Sequence, residues 1–403
     1  MRMVELLAPA GNLEKLIFAL KYGADAVYAG GPQFGLRAFA GNFSLDELQR
    51  GISFAHQHGR RVYITINIMP HNEDLQGLPE YIEEVARIGA DAIILSDPAV
   101  LVTAKAVAPQ LELHLSTQAN AVNWQSVKFW HEQGLARVIL ARELSLGEIR
   151  EIHERVPGVN IEMFVHGAMC ISYSGRCLLS NFMVGRDANK GECAHPCRYK
   201  YALVEEKRPG QYFPIEEDAR GAYIMNSKDL SLYPHLKDVL ATGINGLKIE
   251  GRMKSVHYVA TVTRAYRLAL DAIGRGEEPP EHLHRELFKV NHRDYTTGFA
   301  LGKPTAEDHV YSGRNSHGEA DFLGIVRGFD QEKGLLFEQR GHFRPGAAVE
   351  FIGPTAGPIA FEIPAIHSAD TGEALAAARH AQQLVYIPYP SALQEYSIMR
   401  TQA

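Results

Sequence analysis

Two stretches of the chain, Gly23-Ala24-Asp25-Ala26-Val27-Tyr28-Ala29 and Gly89-Ala90-Asp91-Ala92-Ile93-Ile94-Leu95, begin with the same four residues. In each, a glycine closes a helical segment and a short apolar run of strand character follows at once. Gly134 and Gly243 stand in the same position before two further runs. A helix that ends at glycine and leads directly into a strand is the repeating unit of a parallel α/β fold.

Working outward from these stretches, apolar runs of strand character recur along the first 250 residues, each followed by a segment of helical periodicity. The eight predicted strands are Glu5–Ala8, Asp25–Ala29, Arg61–Ile68, Asp91–Ser96, Glu112–Ser116, Arg137–Ala141, Asn160–Val165 and Gly246–Glu250. Ser44 with Glu47, and Ser145 with Glu148, have the spacing of capping boxes, so helices are predicted to begin there. The alternative is an open doubly wound sheet, but eight strands favour a TIM-like (β/α)8 barrel because closure removes both sheet edges.

The pattern along the chain predicts a division into domains. Residues 1–280 form the barrel, with an insertion at 167–242 between the seventh and eighth strands, and 281–320 form a connecting segment. Ser255–Ile273 reads as an amphipathic helix after the last barrel strand. Short runs separated by glycines then predict a small antiparallel, barrel-like β domain at 321–403. Its predicted strands are Phe322–Val326, Gly334–Phe337, Ala348–Ile352, Ile359–Ile363 and Leu384–Ile387.

Composition and missing motifs exclude several functions. Lys and Arg total 41 against 47 for Asp and Glu, a formal net charge of -6, so the charge expected of a generic nucleic-acid binder is missing. The sequence has no Gly-x-Ser-x-Gly elbow, no P-loop and no paired-histidine zinc-protease helix, so it offers no recognisable hydrolytic machinery. Met1–Ala10 lacks the features of a leader, and no apolar run reaches the roughly 18 residues of a membrane span. We therefore expect a cytoplasmic protein with no membrane partner.

The four cysteines of the chain, Cys170, Cys177, Cys193 and Cys197, all fall in the insertion, with the spacing Cys-x6-Cys-x15-Cys-x3-Cys. In a reducing compartment this clustering indicates metal binding rather than disulfides. Four thiolates hold either a tetrahedral zinc ion or an iron-sulfur cluster, and the wide first spacing favours the cluster over zinc or over unliganded buried thiols. Lys200 stands where the radical-SAM pattern needs a further cysteine, which disfavours that chemistry.

Polar residues follow the predicted strands at their C-terminal ends, where a TIM barrel carries its active site. His166 and Glu250 are candidates for proton transfer, and Lys248 is a further catalytic candidate. Arg142, Lys248 and Arg252 could form a cationic recess for a carboxylate or phosphate, unless Glu143 and Glu250 simply pair with these cations at the rim. The predicted substrate-binding residues are Tyr28, Asn67, Gln118, Asn120, Arg142, Glu143 and Arg252.

The sequence around the first two cysteines resembles that of a known protein family. The run Glu162-Met163-Phe164-Val165-His166-Gly167-Ala168-Met169-Cys170, continued by Tyr173-Ser174-Gly175-Arg176-Cys177, resembles the signature of the collagenase-like U32 peptidase family of unclassified mechanism. The runs Glu5–Gly11, Tyr22–Tyr28, Asn226–Leu230 and Leu247–Arg252 extend the match over essentially the whole chain.

Within that family, Ala119–Trp124 and Arg142–Ser145 most resemble the tRNA-hydroxylating branch. That resemblance implies oxygen-independent hydroxylation of the wobble uridine of tRNA to 5-hydroxyuridine. It also implies prephenate, a small dicarboxylate, as the hydroxyl source, a 4Fe-4S cluster on the four cysteines, and the iron-sulfur assembly machinery as a partner. The alternatives are a collagenase-like peptidase and an accessory iron-sulfur subunit in anaerobic hydroxylation of ubiquinone precursors. The segment between Cys197 and Asn226 is shorter than in longer relatives, which bears on how tRNA would be held.

Overall fold

The computed structural model describes residues 4–36, 42–170, 172–173, 177–198, 202–204, 207, 209, 212–214, 227–304 and 317–402. The chain divides into two compact units, one of Met1–Leu20, Ala24–Lys254 and His292–Ser316 and a second of Lys21–Gly23, Ser255–Asn291 and His317–Ala403. Each of these units is made of separate segments, whereas the domains predicted from the sequence are continuous. The predicted domain bounds therefore stay predictions.

The first unit contains the predicted barrel. Among the described residues, eight parallel strands close into one sheet in which each strand pairs with the next along the chain, and the eighth pairs with both the seventh and the first. These strands are β1 (Glu5–Ala10), β2 (Ala26–Gly30), β3 (Arg61–Ile66), β4 (Ala92–Leu95), β5 (Glu112–Leu115), β6 (Arg137–Ile139), β7 (Asn160–Ala168) and β8 (Gly246–Ile249). The prediction of a closed TIM-like barrel is confirmed, and the open-sheet alternative is wrong.

Helices alternate with the barrel strands as expected. They are α1 (Leu13–Lys21), α2 (Leu45–Gln57), α3 (Leu78–Arg87), α4 (Pro98–Val107), α5 (Trp124–Glu132) and α6 (Leu146–Arg155), with α7 (Leu179–Val184) and α8 (Leu236–Leu240) between β7 and β8. Both predicted capping boxes are present, at Ser44 before α2 and Ser145 before α6. Gly23 and Gly89 have φ values of 104° and 89°, a backbone conformation that favours glycine at the turn from helix to strand.

The first unit also contains short strands that the sequence pattern did not predict. The short strand Asp229–Ser231 pairs antiparallel with the end of β7. Its other edge pairs parallel with the strand Tyr295–Thr296. Ala202–Val204 and Tyr212–Pro214 form a separate two-stranded ribbon. Most of the segment between Cys197 and Asn226, whose length departs from that of longer relatives, lies outside the described residues.

The second unit contains α9 (Val256–Gly274), α10 (Glu281–Glu286) and an antiparallel sheet of seven strands among its described residues. The strands are β9 (Phe322–Asp330), β10 (Gly334–Gln339), β11 (Ala348–Ile352), β12 (Ile359–Glu362), β13 (His367–Ser368), β14 (Leu384–Ile387) and β15 (Ile398–Thr401). Its core includes the buried side chains of Phe337, Phe351 and Met399. The predicted antiparallel C-terminal domain is therefore confirmed, with β13 and β15 in addition to the five predicted strands. None of the described helices is both long enough and apolar enough to span a membrane.

Candidate functional site

A cavity of about 170 Å³ lies at the C-terminal ends of the barrel strands, where the sequence placed the site. Seven of the ten non-cysteine candidates line it, and so do all four cysteines. The seven are Tyr28, Asn67, Gln118, Arg142, Lys248, Glu250 and Arg252. The ends of β2, β3, β5, β6 and β8 and the inserted loop thus contribute to one cavity wall.

The cysteines are brought to this wall by the first part of the insertion. Cys170 follows β7 directly, and Cys177 stands just before α7. The buried hydroxyl of Ser180 in α7 accepts a hydrogen bond from the backbone N–H of Ala194 at 3.0 Å, which holds the segment that carries Cys193 against the helix.

The same segment is attached to the barrel. The backbone N–H of Met69, just beyond β3, donates to the carbonyl oxygen of Asn189 at 3.1 Å. The Nζ atom of Lys190 lies 2.9 Å from a carboxylate oxygen of Asp74 in the connection from β3 to α3. These contacts place the cysteine-bearing segment over the strand ends.

The donor set suits a metal centre by its chemistry. None of the four cysteines forms a disulfide, and four thiolates are the ligand count of an iron-sulfur cubane or a structural zinc ion. Within the described ranges, however, no group of three His, Cys, Asp or Glu side chains has the geometry to hold a metal ion. The residues therefore fit a four-thiolate group in type, number and shared cavity, and binding would require the thiols to draw together.

The three predicted cations have distinct surroundings. The Nη1 atom of Arg142 donates to the carbonyl oxygen of Ala168 at 2.6 Å, and its guanidinium lies 5.1 Å from the centroid of the Phe164 ring. Arg252 is buried, and its guanidinium donates to the carbonyl oxygen of Leu36 at 2.9 Å and to Oδ1 of Asn42 at 2.7 Å. Both side chains are held by contacts on the C-terminal face of the barrel.

Lys248 is buried, like Arg252. Its Nζ atom lies 4.3 Å from the centroid of the Tyr28 ring and 3.3 Å from Oε1 of Glu162. Burial lowers the pKa of Lys248, while the carboxylates of Glu162 and Glu250 act in the opposite direction. Glu162 was not among the residues chosen from the sequence, although a carboxylate inside an otherwise apolar strand is itself a signal.

Glu250 and Asn67 both line the cavity, and they have different hydrogen-bond partners. The hydroxyl of Tyr28 donates to the carbonyl oxygen of Ile249 at 3.0 Å and approaches Oε2 of Glu250 at 3.3 Å. Asn67 donates through Nδ2 to the Ser116 hydroxyl at 3.1 Å and accepts from the backbone N–H of Leu36 at 3.3 Å. The contacts of Asn67 indicate that it shapes the cavity wall.

His166, Asn120 and Glu143 are not among the residues that line the cavity. His166 is buried, with its ring 5.2 Å from that of Tyr295 and its Nε2 atom 3.5 Å from the Tyr295 hydroxyl. The register of β7 against β8 shifts between Lys248 and Ile249, so strict alternation does not fix the direction of His166. Asn120 adopts a left-handed conformation that ends the short helical turn after β5.

An ion pair on the same face was also missed. Arg293 donates through Nε and Nη2 to Oδ1 of Asp229, at 2.9 and 2.6 Å, and both side chains are buried. Asp229 lies in the short strand that pairs with β7. The two residues are far apart in the sequence, so no local pattern could indicate the pair.

Comparison with known proteins gives matches along nearly the whole chain. Residues 11–310 match peptidase family U32, and residues 318–400 match the peptidase family U32 C-terminal domain. The chain is 43% identical over 401 residues to tRNA hydroxylation protein P1 of Bacillus subtilis, covering 98% of this chain and 94% of that protein. It is 37% identical over 270 residues to the 23S rRNA 5-hydroxycytidine synthase of Escherichia coli, covering 67% of this chain and 40% of that protein. It is 33% identical over 372 residues to a collagenase of Porphyromonas gingivalis, covering 88% of each.

Proposed function

The chain belongs to peptidase family U32. Within that family, we propose that it is an RNA hydroxylase that converts the wobble uridine of tRNA to 5-hydroxyuridine. The observation that carries the proposal is the 43% identity over 98% of this chain to a tRNA hydroxylation protein. The relative that is named for 5-hydroxycytidine in 23S rRNA supports the wider class, hydroxylation of pyrimidine bases in RNA.

The charges of the cavity support a small anionic co-substrate. Among the described residues, its wall carries three cations, Arg142, Lys248 and Arg252, and one carboxylate, that of Glu250. Arginine and lysine are the side chains that bind carboxylates through charge-assisted hydrogen bonds. A dicarboxylate such as prephenate suits this set, and we propose prephenate as the source of the hydroxyl group, with an external two-electron acceptor taking up the electrons that hydroxylation of the uracil ring releases.

We further propose that Cys170, Cys177, Cys193 and Cys197 hold a 4Fe-4S cluster. A bound cluster would supply electron transfer next to the cavity. Lys248 and Arg142 would bind and orient the anion, and Glu250, whose Oε2 atom lies 3.3 Å from the Tyr28 hydroxyl, would accept a proton.

Nucleoside analysis of tRNA tests the proposal. Mass spectrometry of tRNA from a strain that lacks this protein should show loss of 5-hydroxyuridine and its derivatives, and the wild-type gene should restore them. Cys193→Ala should not restore them, whereas Glu84→Gln, which alters an exposed ion pair with Arg87, should. An unchanged nucleoside profile in the deletion strain would reject tRNA hydroxylation.

One observation favours a second function, peptide hydrolysis. The Sγ atom of Cys193 lies 3.9 Å from Nδ1 of His195, and both residues line the cavity. A thiol beside an imidazole is the nucleophile-and-base arrangement of cysteine peptidases, and one relative is named a collagenase. A peptidase of this type should cleave gelatin and lose that activity in both Cys193→Ala and His195→Ala. Absence of gelatin cleavage by the purified wild-type protein would remove this function.

A further inference from the structure

The surroundings of Lys248 set a physical requirement. Its side chain is only 5% exposed, and its ammonium group lies over the ring of Tyr28 and 5.5 Å from the centroid of the Phe164 ring. Aromatic faces attract a cation but do not replace the hydrogen bonds that water gives it. A buried ammonium of this kind therefore needs a counter-charge to stay protonated and in place.

Glu162 supplies that counter-charge from the neighbouring strand. Its side chain is fully buried, and Oε1 lies 3.3 Å from Nζ of Lys248. Its other oxygen, Oε2, accepts a hydrogen bond from Nη1 of Arg137 at 2.9 Å. Arg137 is in turn paired with Glu5 in β1, so the carboxylate of Glu162 is held from two sides inside the barrel.

Glu162 itself is not among the residues that line the cavity, whereas Lys248 is. We propose that Glu162 is a positioning residue: it holds the ammonium group of Lys248 at the cavity wall, where that group receives the anionic end of the small co-substrate. This inference deepens the proposed function and rests on it for the identity of the anion. The position of Lys248 beside Glu162 rests on the structure alone.

The charged groups around Lys248 give the inference a measurable consequence. Burial lowers the pKa of Lys248, the carboxylates of Glu162 and then Glu250 raise it, and Arg137 lowers it. Since Glu162 is the strongest of the groups that favour the charged form, Glu162→Gln should lower the pKa of Lys248 further. The amine would then lose its proton at a lower pH than in the wild-type protein, and the neutral amine would no longer bind an anion.

Competitive labelling with trace acetic anhydride tests this directly. Only a neutral amine reacts, so the extent of Lys248 acetylation against pH, read by peptide mass spectrometry, reports its pKa. The midpoint should fall by about 1 to 3 pH units in Glu162→Gln. The exposed Lys128 should be unchanged and serves as the internal reference. An unchanged Lys248 midpoint would overturn the inference.

Ligand protection and kinetics complete the test. Prephenate should protect Lys248 of the wild-type protein from acetylation, and no protection would overturn the anion-binding role. In tRNA hydroxylation, Glu162→Gln should raise the KM for prephenate about tenfold with a smaller change in kcat, as for loss of a binding interaction. Lys248→Met should give at least the same loss, and the double variant should lose no more than Lys248→Met alone.

Two controls separate the possible failures. Glu162→Asp keeps the negative charge but moves it away from Lys248, because the side chain is shorter. This variant should fold even if Glu162→Gln is unstable, and its midpoint for Lys248 acetylation should fall less than that of Glu162→Gln. Glu84→Gln makes the same chemical change at an exposed ion pair and should behave as wild type. A wild-type protein that leaves tRNA unmodified in the presence of prephenate would reject the proposed function, while the labelling midpoint would still decide the role of Glu162.

Discussion

The Nη2 atom of Arg142 lies 3.5 Å from the Sγ atom of Cys170. Arg142 follows β6, and Cys170 is the first cysteine after β7, so this contact joins the strand-end cations to the cysteine segment. The two chemistries proposed for the cavity, anion binding and thiolate ligation, therefore meet at one side chain.

Arg142→Ala should abolish most hydroxylation while leaving the cluster in place. The loss of a charge-assisted contact costs about 1.5–3 kcal/mol, which corresponds to roughly a 10- to 100-fold fall in the modification rate. Arg142→Lys keeps the charge without the planar fork and should fall between wild type and alanine. Nucleoside mass spectrometry gives the rate and metal analysis gives the cluster content; wild-type activity in Arg142→Ala would remove Arg142 from the site.

Gly30→Ala should impair the site without unfolding the protein. A Cβ atom at Gly30 would overlap the Nη2 atom of Arg252, and because that atom ends a flexible side chain, the guanidinium can move away. The displaced cation should lower hydroxylation by roughly 10-fold or more, in a protein that stays folded by circular dichroism. Gly274→Ala, where a Cβ would meet open space, is the matched control and should keep full activity. Full activity in Gly30→Ala would argue that Arg252 has no part in the reaction.

Asp229→Asn should destabilise the barrel unit. The substitution leaves the buried guanidinium of Arg293 without its carboxylate, which costs about 3–5 kcal/mol in comparable buried pairs. Urea denaturation should show the loss as a lower midpoint. Glu84→Gln, at an exposed pair, should leave the midpoint unchanged, and equal midpoints for the two variants would contradict the account.

His257 should make the second unit lose stability in mild acid. Burial, reinforced by the cations of Arg400 and Lys289, lowers the pKa of His257 to about 3. Between that value and about 6.5 the unfolded chain binds a proton that the folded protein does not, so stability is full above about pH 6.5 and falls as the pH drops.

The contribution of His257 is about 1.4 kcal/mol for each pH unit below about 6.5. Denaturation at pH 7.5 and 5.5 should therefore show a smaller difference for His257→Gln than for the wild-type protein. Equal differences in the two proteins would show that His257 does not titrate on unfolding.

Sequence reasoning was most successful where the signal is local. The glycine at each turn from helix to strand, and the capping boxes at Ser44 and Ser145, depend on residues within a few positions of one another. Eight repeats of a strand followed by a helix are compatible with only a few sheet topologies. The closed barrel could therefore be predicted from the chain, and so could the face on which the polar strand ends and the cysteines gather.

What the sequence did not indicate depends on distant partners. The carboxylate of Glu162 is a signal within an apolar strand, but its partners, Lys248 in β8 and Arg137 in β6, are distant in the sequence. β7 continues to Ala168, beyond the predicted end at Val165, so His166 lies within the strand and is not among the residues that line the cavity. The strand Asp229–Ser231 is too short to show a pattern of its own and forms because the end of β7 offers it a partner.

The iron and acid-labile sulfide content of anaerobically purified protein tests the central claim most directly. The account predicts about four of each per chain, and their loss in Cys193→Ala, because four thiolates are the ligand set of a cubane cluster. A wild-type protein that carries zinc, or that binds no iron when cluster assembly is supplied, would contradict it.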